Sequence, residues 1–178
     1  MIRRRLFSVG VLAAAAFFVG GHTPYSQWVV YRKKHLLIGS HKGDPRGYAL
    51  AKAAVAALDR HLPAAKARVA RAPHARRLAS LLATDQLETA ILTETDAVAM
   101  RDGADGFAPY GAVDLRTLMP IGDRLLVVRA DFPERHAWLL AEALSHTDLA
   151  PPRDNTSPSR LAWHAGSRAF FDGKPPPE

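Results

Sequence analysis

The spacing of hydrophobic residues changes several times between residues 36 and 146. The apolar triplet Leu36 to Ile38 is followed by a loop containing glycine and serine, and apolar residues then recur at i, i+3, i+4 and i+7 from Ala51 to Leu58. A short continuous apolar run favours a buried strand, whereas the second spacing is typical of an amphipathic helix. We therefore predict a strand, a loop and a helix over residues 36–60.

This order repeats along the chain. The pattern predicts short strands at 67–70 and 89–92, each followed by a helix, the first opening at Pro73-His74 and the second ending at Asp102-Gly103. Extended segments at 115–121 and 125–129 predict a hairpin or an edge strand, and a helix then runs from about Pro133 to His146. Strands that alternate with helices indicate parallel pairing, so residues 36–150 are predicted to form one α/β lobe with a doubly wound, mostly parallel sheet.

The first 35 residues have a different pattern. Arg3 to Arg5 precede the apolar run Leu6 to Gly21, and no formally charged side chain follows until Arg32. This pattern predicts an N-terminal hydrophobic helix that directs export or membrane insertion. Three aromatic residues with interfacial character follow the run: Tyr25, Trp28 and Tyr31. They favour an uncleaved membrane anchor over residues 6–30, with a cleaved signal peptide as the alternative.

Composition narrows the classes of partner. A chain of 178 residues, 48% of them apolar, suffices for one core, and its formal charge of +7 is compatible with nucleic acid, anionic lipid or a small acidic ligand. No aromatic residues are interleaved with the basic ones, so we predict no nucleic-acid partner. The basic stretch within the lobe is interpreted as a solvated face or a contact with lipid headgroups: Arg68, Arg71, Arg76 and Arg77.

The sequence contains few signals of a catalytic site or a metal site. The chain has no cysteine, so it has no disulfide, thiolate ligand or cysteine nucleophile, and none of its eight histidines forms an i, i+4 pair. The segment Ile38 to Lys42 lacks the second glycine of a nucleophile elbow. We therefore expect a protein that binds rather than catalyses, with no metal and no cofactor.

Loops after the parallel strands are the predicted ligand site, because ligands of α/β sheets gather at the carboxyl ends of the strands. A strand that leads into a helix also aims unpaired backbone N–H groups at this loop, where a small anion is stabilised. The candidate ligand-binding residues are Ser40, His41, Arg46, Tyr48, His74, Thr95 and Asp96. In this hypothesis Arg46 pairs bidentately with a carboxylate and Ser40 holds its second oxygen.

The alternative interpretation assigns these residues ordinary structural roles. Arg46 is then solvated, and His74 satisfies a loop carbonyl group. Asp96 and Thr93 or Thr95 then act as helix caps.

Several phrases of the sequence resemble the TAXI-type extracytoplasmic solute-binding subunits of TRAP transporters. The resemblance covers most of the lobe and is carried by Leu36 to Ser40 with Tyr48 to Lys52, by Leu81 to Asp96, by Leu126 to Asp131, and by Trp163 to Gly166. It implies the type II periplasmic binding-protein fold, a periplasmic location at the inner membrane, a small carboxylate or amino acid as the ligand, and a membrane permease as the partner.

The chain also departs from this family. Such proteins are close to twice as long and clamp the solute between two lobes, whereas residues 114–129 here run almost directly into the final helix. Residues 151–178 are predicted to form a linker, a short helix at 163–171 and a disordered proline-rich tail. Two functions follow: a receptor for a small anionic solute, or a module that has lost its ligand and docks on another inner-membrane protein or on itself. A homodimer would restore the missing wall of the site.

Overall fold

The computed structural model describes residues 33–150 and 159–178. Its strands are β1 (Leu37–His41), β2 (Arg68–Ala72), β3 (Thr89–Leu92), β4 (Leu115–Ile121) and β5 (Arg124–Arg129). Its helices are α1 (Pro45–His61), α2 (Ala75–Ala83), α3 (Glu94–Asp102), α4 (Glu134–Ser145) and α5 (Ala165–Phe171), and short 3-10 turns occupy Pro63–Ala65 and Asp105–Tyr110.

The strands form one sheet in the order β2-β1-β3-β5-β4. Strand β1 pairs in parallel with both β2 and β3, while β5 is antiparallel to β3 on one side and to β4 on the other. Four of the five strands therefore run in the same direction. The α/β class and the mostly parallel sheet are confirmed, and the predicted hairpin is formed by β4 and β5.

Helices cover both faces of the sheet because the strands present apolar side chains to both sides. Ile38 of β1 packs in a core with Leu58 of α1 and Leu140 of α4. Its neighbour Leu37 packs in a second core with Leu78 of α2 and Met100 of α3. Successive side chains of a strand point to opposite faces, which explains the separation. Below, these are the α1 face and the α2 face.

Local signals place the helix ends. Asp44 caps α1 through a bond from the Gly47 N–H (3.0 Å), and Thr93 caps α3 through a bond from the Asp96 N–H (3.0 Å). Helix α3 ends at Gly103, whose φ of 60° lies in the left-handed region that favours glycine. Thr93 was one of the predicted caps and Gly103 ends the helix as predicted, whereas the cap at Asp44 was not predicted.

The C-terminal segment packs against the lobe. The Thr117 N–H donates to the Ala162 carbonyl (2.9 Å) and the His164 N–H donates to the Thr117 carbonyl (2.8 Å), so this segment runs along the free side of β4. The Trp138 Nε1–H donates to the Lys174 carbonyl at 3.0 Å. The prediction of a disordered tail is therefore wrong at Lys174, because a long-range contact that periodicity does not reveal holds this residue.

The predicted N-terminal hydrophobic helix and the anchor over residues 6–30 lie outside the described residues. Within residues 33–150 and 159–178, no helix combines the length and the apolar content that crossing a bilayer requires.

Candidate functional site

All seven predicted ligand-binding residues lie at one edge of the sheet, which we call the carboxyl edge because β1, β2 and β3 end there. Two of them are the last residues of β1, and the others stand at the starts of the helices that follow the three strands. Since the three strands are parallel, the loops that follow them share this edge. The structure therefore places the candidates on one side of the lobe, although not in one pocket.

Ser40 and His41 are buried, and one polar side-chain atom of each has no hydrogen-bond partner among the described residues. Ser40 is 1% exposed and His41 8% exposed, and neither Ser40 Oγ nor His41 Nδ1 has a partner among the described residues. Their positions in β1 direct Ser40 to the α1 face and His41 to the α2 face. A buried polar group without a partner costs about 1–3 kcal/mol, so both atoms lack a bond that folding normally supplies.

The Tyr48 ring contacts two cations, and one of them, Arg71, is the strand neighbour of Ser40. The Arg71 guanidinium lies 4.0 Å from the centre of the Tyr48 ring, and Lys52 Nζ lies 5.1 Å from it. Arg71 pairs with Ser40 across β1 and β2 and lies on the same face of the sheet. Neither cation has an ion-pair partner within the part of the chain that the structure describes. Contact with the ring face stabilises each cation, and an anion beside Arg71 would add the ion pair that this residue lacks.

An internal carboxylate occupies the N-terminus of α1. Asp44 is 8% exposed, and its two oxygens accept bonds from Arg124 Nε (3.0 Å) and Nη2 (3.1 Å) as well as from the Gly47 N–H. The bonds from Arg124 hold the pKa of Asp44 below its ordinary value, although burial opposes this shift. A Cβ at position 47 would collide with the Asp44 carboxylate, so a larger residue there would displace this side chain from its bonds with Arg124. Asp44 thus takes the position that we predicted for a bound anion.

Arg46 points to the β4–β5 hairpin. Its Nε donates to Asp123 Oδ1 at 3.2 Å, and these side chains are 63% and 57% exposed. Asp123 also accepts a bond from Arg124 Nη1 at 2.7 Å, and the bond from Arg46 is the main cause of the lowered pKa of Asp123. An exposed ion pair contributes only about 0–1 kcal/mol, so this pair adds little to the stability of the lobe, although it already supplies Arg46 with a carboxylate.

The remaining candidates lie at the starts of α2 and α3. His74 caps α2 by accepting the Arg77 N–H at Nδ1 (3.1 Å). Thr95 and Asp96 stand in the first turn of α3, where Thr93 is the capping residue. The alternative given above is confirmed for Thr93 as a cap, whereas His74 accepts a backbone N–H instead of satisfying a loop carbonyl. No hydrogen bond or ion pair of the described residues joins the side chain of Thr95 or Asp96 to another candidate.

Sequence reasoning missed three residues of this edge: Asp44, Arg71 and Arg124. Asp44 precedes Pro45 and stands three residues before Gly47, which is a typical N-cap position and was a usable signal. Arg71 belonged to a cluster interpreted as a solvated face, and its position near the end of β2 was the available signal. Arg124 contacts Asp44 across 80 residues of sequence, and nothing local indicated that pair.

Metal chemistry and known families add no further assignment. Among residues 33–150 and 159–178, no group of three or more His, Asp or Glu side chains is arranged to hold a metal ion. The sequence matches no model of a known protein family and no curated protein. What the chain does must therefore be argued from the carboxyl edge itself.

Proposed function

We propose that this chain is an extracytoplasmic solute-binding protein that takes a small anion, a carboxylate or an amino acid, at the carboxyl edge of its sheet. The observation that carries the proposal is the meeting of Arg71 and Lys52 at the Tyr48 ring, without a carboxylate partner among the described residues, next to the unpartnered hydroxyl of Ser40. A carboxylate placed there would accept bonds from the guanidinium and the hydroxyl and would separate two like charges.

The resemblance to TAXI-type receptors supports the same class of ligand. In that family the solute lies between two lobes, and the proposal treats this lobe as one wall of such a site, resembling a single lobe of the type II periplasmic binding-protein fold. A membrane permease that receives the solute and an anchor at residues 6–30 belong to the proposal as well. A single open wall leaves part of the ligand in contact with water, so we expect weaker binding than in a closed clamp.

Thermal denaturation of the full-length chain tests this proposal. Acetate, succinate and glutamate are added at constant ionic strength, with glycerol as the uncharged control. A ligand at 100 times its Kd stabilises the folded chain by about 2.7 kcal/mol, which corresponds to a rise in Tm of about 5–10 °C at this size. We expect at least one carboxylate to raise Tm and the uncharged control to leave it unchanged.

Two variants of β2 locate the site. Arg71→Met should abolish the rise in Tm caused by the carboxylate, because it removes the cation on the Tyr48 ring. Arg68→Met is the matched control, since Arg68 lies in the same strand at the opposite edge and is paired with Asp59 at 3.6 Å. A panel without any stabilising carboxylate would contradict the proposal, and so would equal binding by both variants.

A second function is favoured by the ion pairs around α1. Asp44 and Asp123 already neutralise Arg124 and Arg46. On that half of the carboxyl edge, carboxylates of the chain itself therefore occupy the positions that an anionic ligand would take. A module that docks on another inner-membrane protein, or on a second copy, needs no solute at this edge. The docking function predicts that no carboxylate shifts the Tm of the chain. It also predicts that Arg71→Met weakens association, measured by cross-linking in membranes, and that Arg68→Met does not.

A further inference from the structure

Two helices on the α1 face bring a pair of histidines together at their carboxyl ends. His61 is the last residue of α1, and His146 directly follows α4. Their ring centres lie 5.4 Å apart, with an angle of 32° between the ring planes. The pair lies at the far end of α1 from the carboxyl edge, about 25 Å along the helix axis. It is therefore separate from the ligand site proposed above.

The contact between the two rings is exposed to solvent. Both histidines are exposed, and no hydrogen bond or ion pair with another described residue engages either ring. Two exposed rings remove little apolar surface from water, so their contact adds little to the stability of the lobe. The ring nitrogens of His61 and His146 remain available to a ligand from solution.

The separation of the rings fits coordination of one metal ion. A metal lies about 2.0–2.1 Å from a histidine nitrogen and so about 3.2 Å from the ring centre, and a tetrahedral ligand angle then sets two ring centres about 5.2 Å apart. The observed separation of 5.4 Å is close to this value. Because both side chains are exposed, rotation about their side-chain bonds can aim one nitrogen of each ring at a common point. The backbone thus holds the two rings at a chelating distance.

The surroundings of the pair tolerate a cation. Unpaired carbonyl groups give the carboxyl end of a helix a partial negative charge, and α1 and α4 both end at this pair. Glu142 stands one turn before His146 and has no ion-pair partner among the described residues. Arg60 is the sequence neighbour of His61, but consecutive side chains of a helix diverge by about 100°. A divalent ion between the rings is therefore stabilised by both helix ends.

We propose that His61 and His146 form an exchangeable site for a divalent transition metal, with water completing its coordination. Two protein ligands are fewer than a resident zinc site supplies, in agreement with the absence of a group of three ligating side chains among residues 33–150 and 159–178. Imidazole suits Cu²⁺, Ni²⁺ and Zn²⁺, of which Cu²⁺ binds most tightly, whereas Mg²⁺ and Ca²⁺ prefer oxygen ligands. The ion cross-links α1 to α4. Spacing within one helix did not reveal the site because its ligands come from two helices.

Copper binding to the untagged full-length chain tests the proposal. We expect one Cu²⁺ per chain in isothermal titration, and two coordinated imidazoles in the electron paramagnetic resonance of the complex. The ion binds the folded chain, in which the two rings are close, so Cu²⁺ at 100 times its Kd should raise Tm by about 5–10 °C. Mg²⁺ at the same concentration should leave Tm unchanged. The assay contains no carboxylate ligand, so its result is independent of the function proposed above.

Histidine variants locate the metal. His61→Gln and His146→Gln should each remove most of the rise in Tm caused by Cu²⁺ and should eliminate the signal of a second imidazole. His136→Gln is the matched control, because His136 is an exposed histidine of α4 whose ring lies against Phe132. This control should bind Cu²⁺ as the wild type does. Circular dichroism confirms that each variant is folded before binding is compared.

Three results would overturn the proposal. Equal copper binding by the wild type and by the double variant of His61 and His146 would place the metal elsewhere. Loss of binding in His136→Gln would assign the metal to the other end of α4. One ion for every two chains, with association of the chains in sedimentation, would assign it to an interface between copies instead of a pair within one chain.

Discussion

Removing the Asp44 side chain is the most informative perturbation of the carboxyl edge, because Asp44 joins α1 to the β4–β5 hairpin. Asp44→Ala deletes the N-cap bond from Gly47 and two bonds from the Arg124 guanidinium. Loss of an N-cap costs about 1 kcal/mol. Removal of one partner of a buried ion pair costs about 3–5 kcal/mol when the other charge is left alone.

The cost of about 3–5 kcal/mol for breaking a buried ion pair must be reduced for Asp44→Ala. Arg124 keeps its bond to Asp123 at 2.7 Å, and its side chain is 18% exposed, so the remaining charge is partly compensated. We therefore expect Asp44→Ala to lower the free energy of unfolding by about 2–4 kcal/mol and Tm by about 5–15 °C. Asp123→Ala is the comparison, because its carboxylate is 57% exposed and such surface pairs contribute about 0–1 kcal/mol.

Urea denaturation monitored by circular dichroism measures both changes, and a double-mutant cycle with Arg124→Met isolates the pair. We expect a coupling energy between Asp44 and Arg124 of about 1–3 kcal/mol, since the contact is bidentate and largely buried. A coupling below about 0.5 kcal/mol, or an Asp44→Ala cost no larger than that of Asp123→Ala, would refute the argument that this pair fastens the hairpin to α1.

Three further predictions follow from the same contacts. The folded-state pKa of Asp44 is depressed from its ordinary value of 3.8, so its stabilising contribution is complete above that value and is lost as the pH falls through the lower folded-state pKa. The stability gap between wild type and Asp44→Asn, measured in urea, should accordingly narrow only below about pH 4. Gly166→Ala should destabilise by about 1–3 kcal/mol because its Cβ would collide with the backbone of Glu134, whereas Gly106→Ala, with only one atom near its Cβ, should leave Tm nearly unchanged. Ser40→Ala should leave the Tm of the unliganded chain unchanged or slightly raised, because it removes an unpartnered buried hydroxyl. It should also weaken carboxylate binding in the thermal assay. A large loss of stability without ligand would instead mean that the hydroxyl has a hydrogen-bond partner.

The sequence was informative wherever local signals determine structure. Strand β3 was predicted at its observed bounds, and the extended segments predicted at 115–121 and 125–129 correspond to β4 and β5. Apolar spacing and turn residues are properties of neighbouring positions, so they can be read without a fold. The shared edge of the predicted site follows from the same signals, because it requires only that the first three strands be parallel.

The content of the site was less predictable, because its contacts join distant parts of the chain. The insertion of β5 between β3 and β4 brings Arg124 to Asp44, and the pairing of β1 with β2 brings Arg71 beside Ser40. Neither proximity leaves a periodic trace in the sequence. From the sequence alone, an arginine in a strand is interpreted as a solvated charge. Its role becomes clear only when its neighbours across the sheet are known.

These contacts divide the carboxyl edge into two electrostatically different halves. On the hairpin side, Arg46 and Arg124 are matched by Asp44 and Asp123, so little attraction for an anion remains. On the β2 side, Arg71 has no ion-pair partner among the described residues. It lies next to Ser40, whose buried hydroxyl has no hydrogen-bond partner among them. A solute that bound at random along the edge would respond equally to changes on both halves. A solute recognised by this protein must respond to Arg71→Met far more than to Arg46→Ala, and that inequality separates recognition from the general attraction of a basic protein for anions.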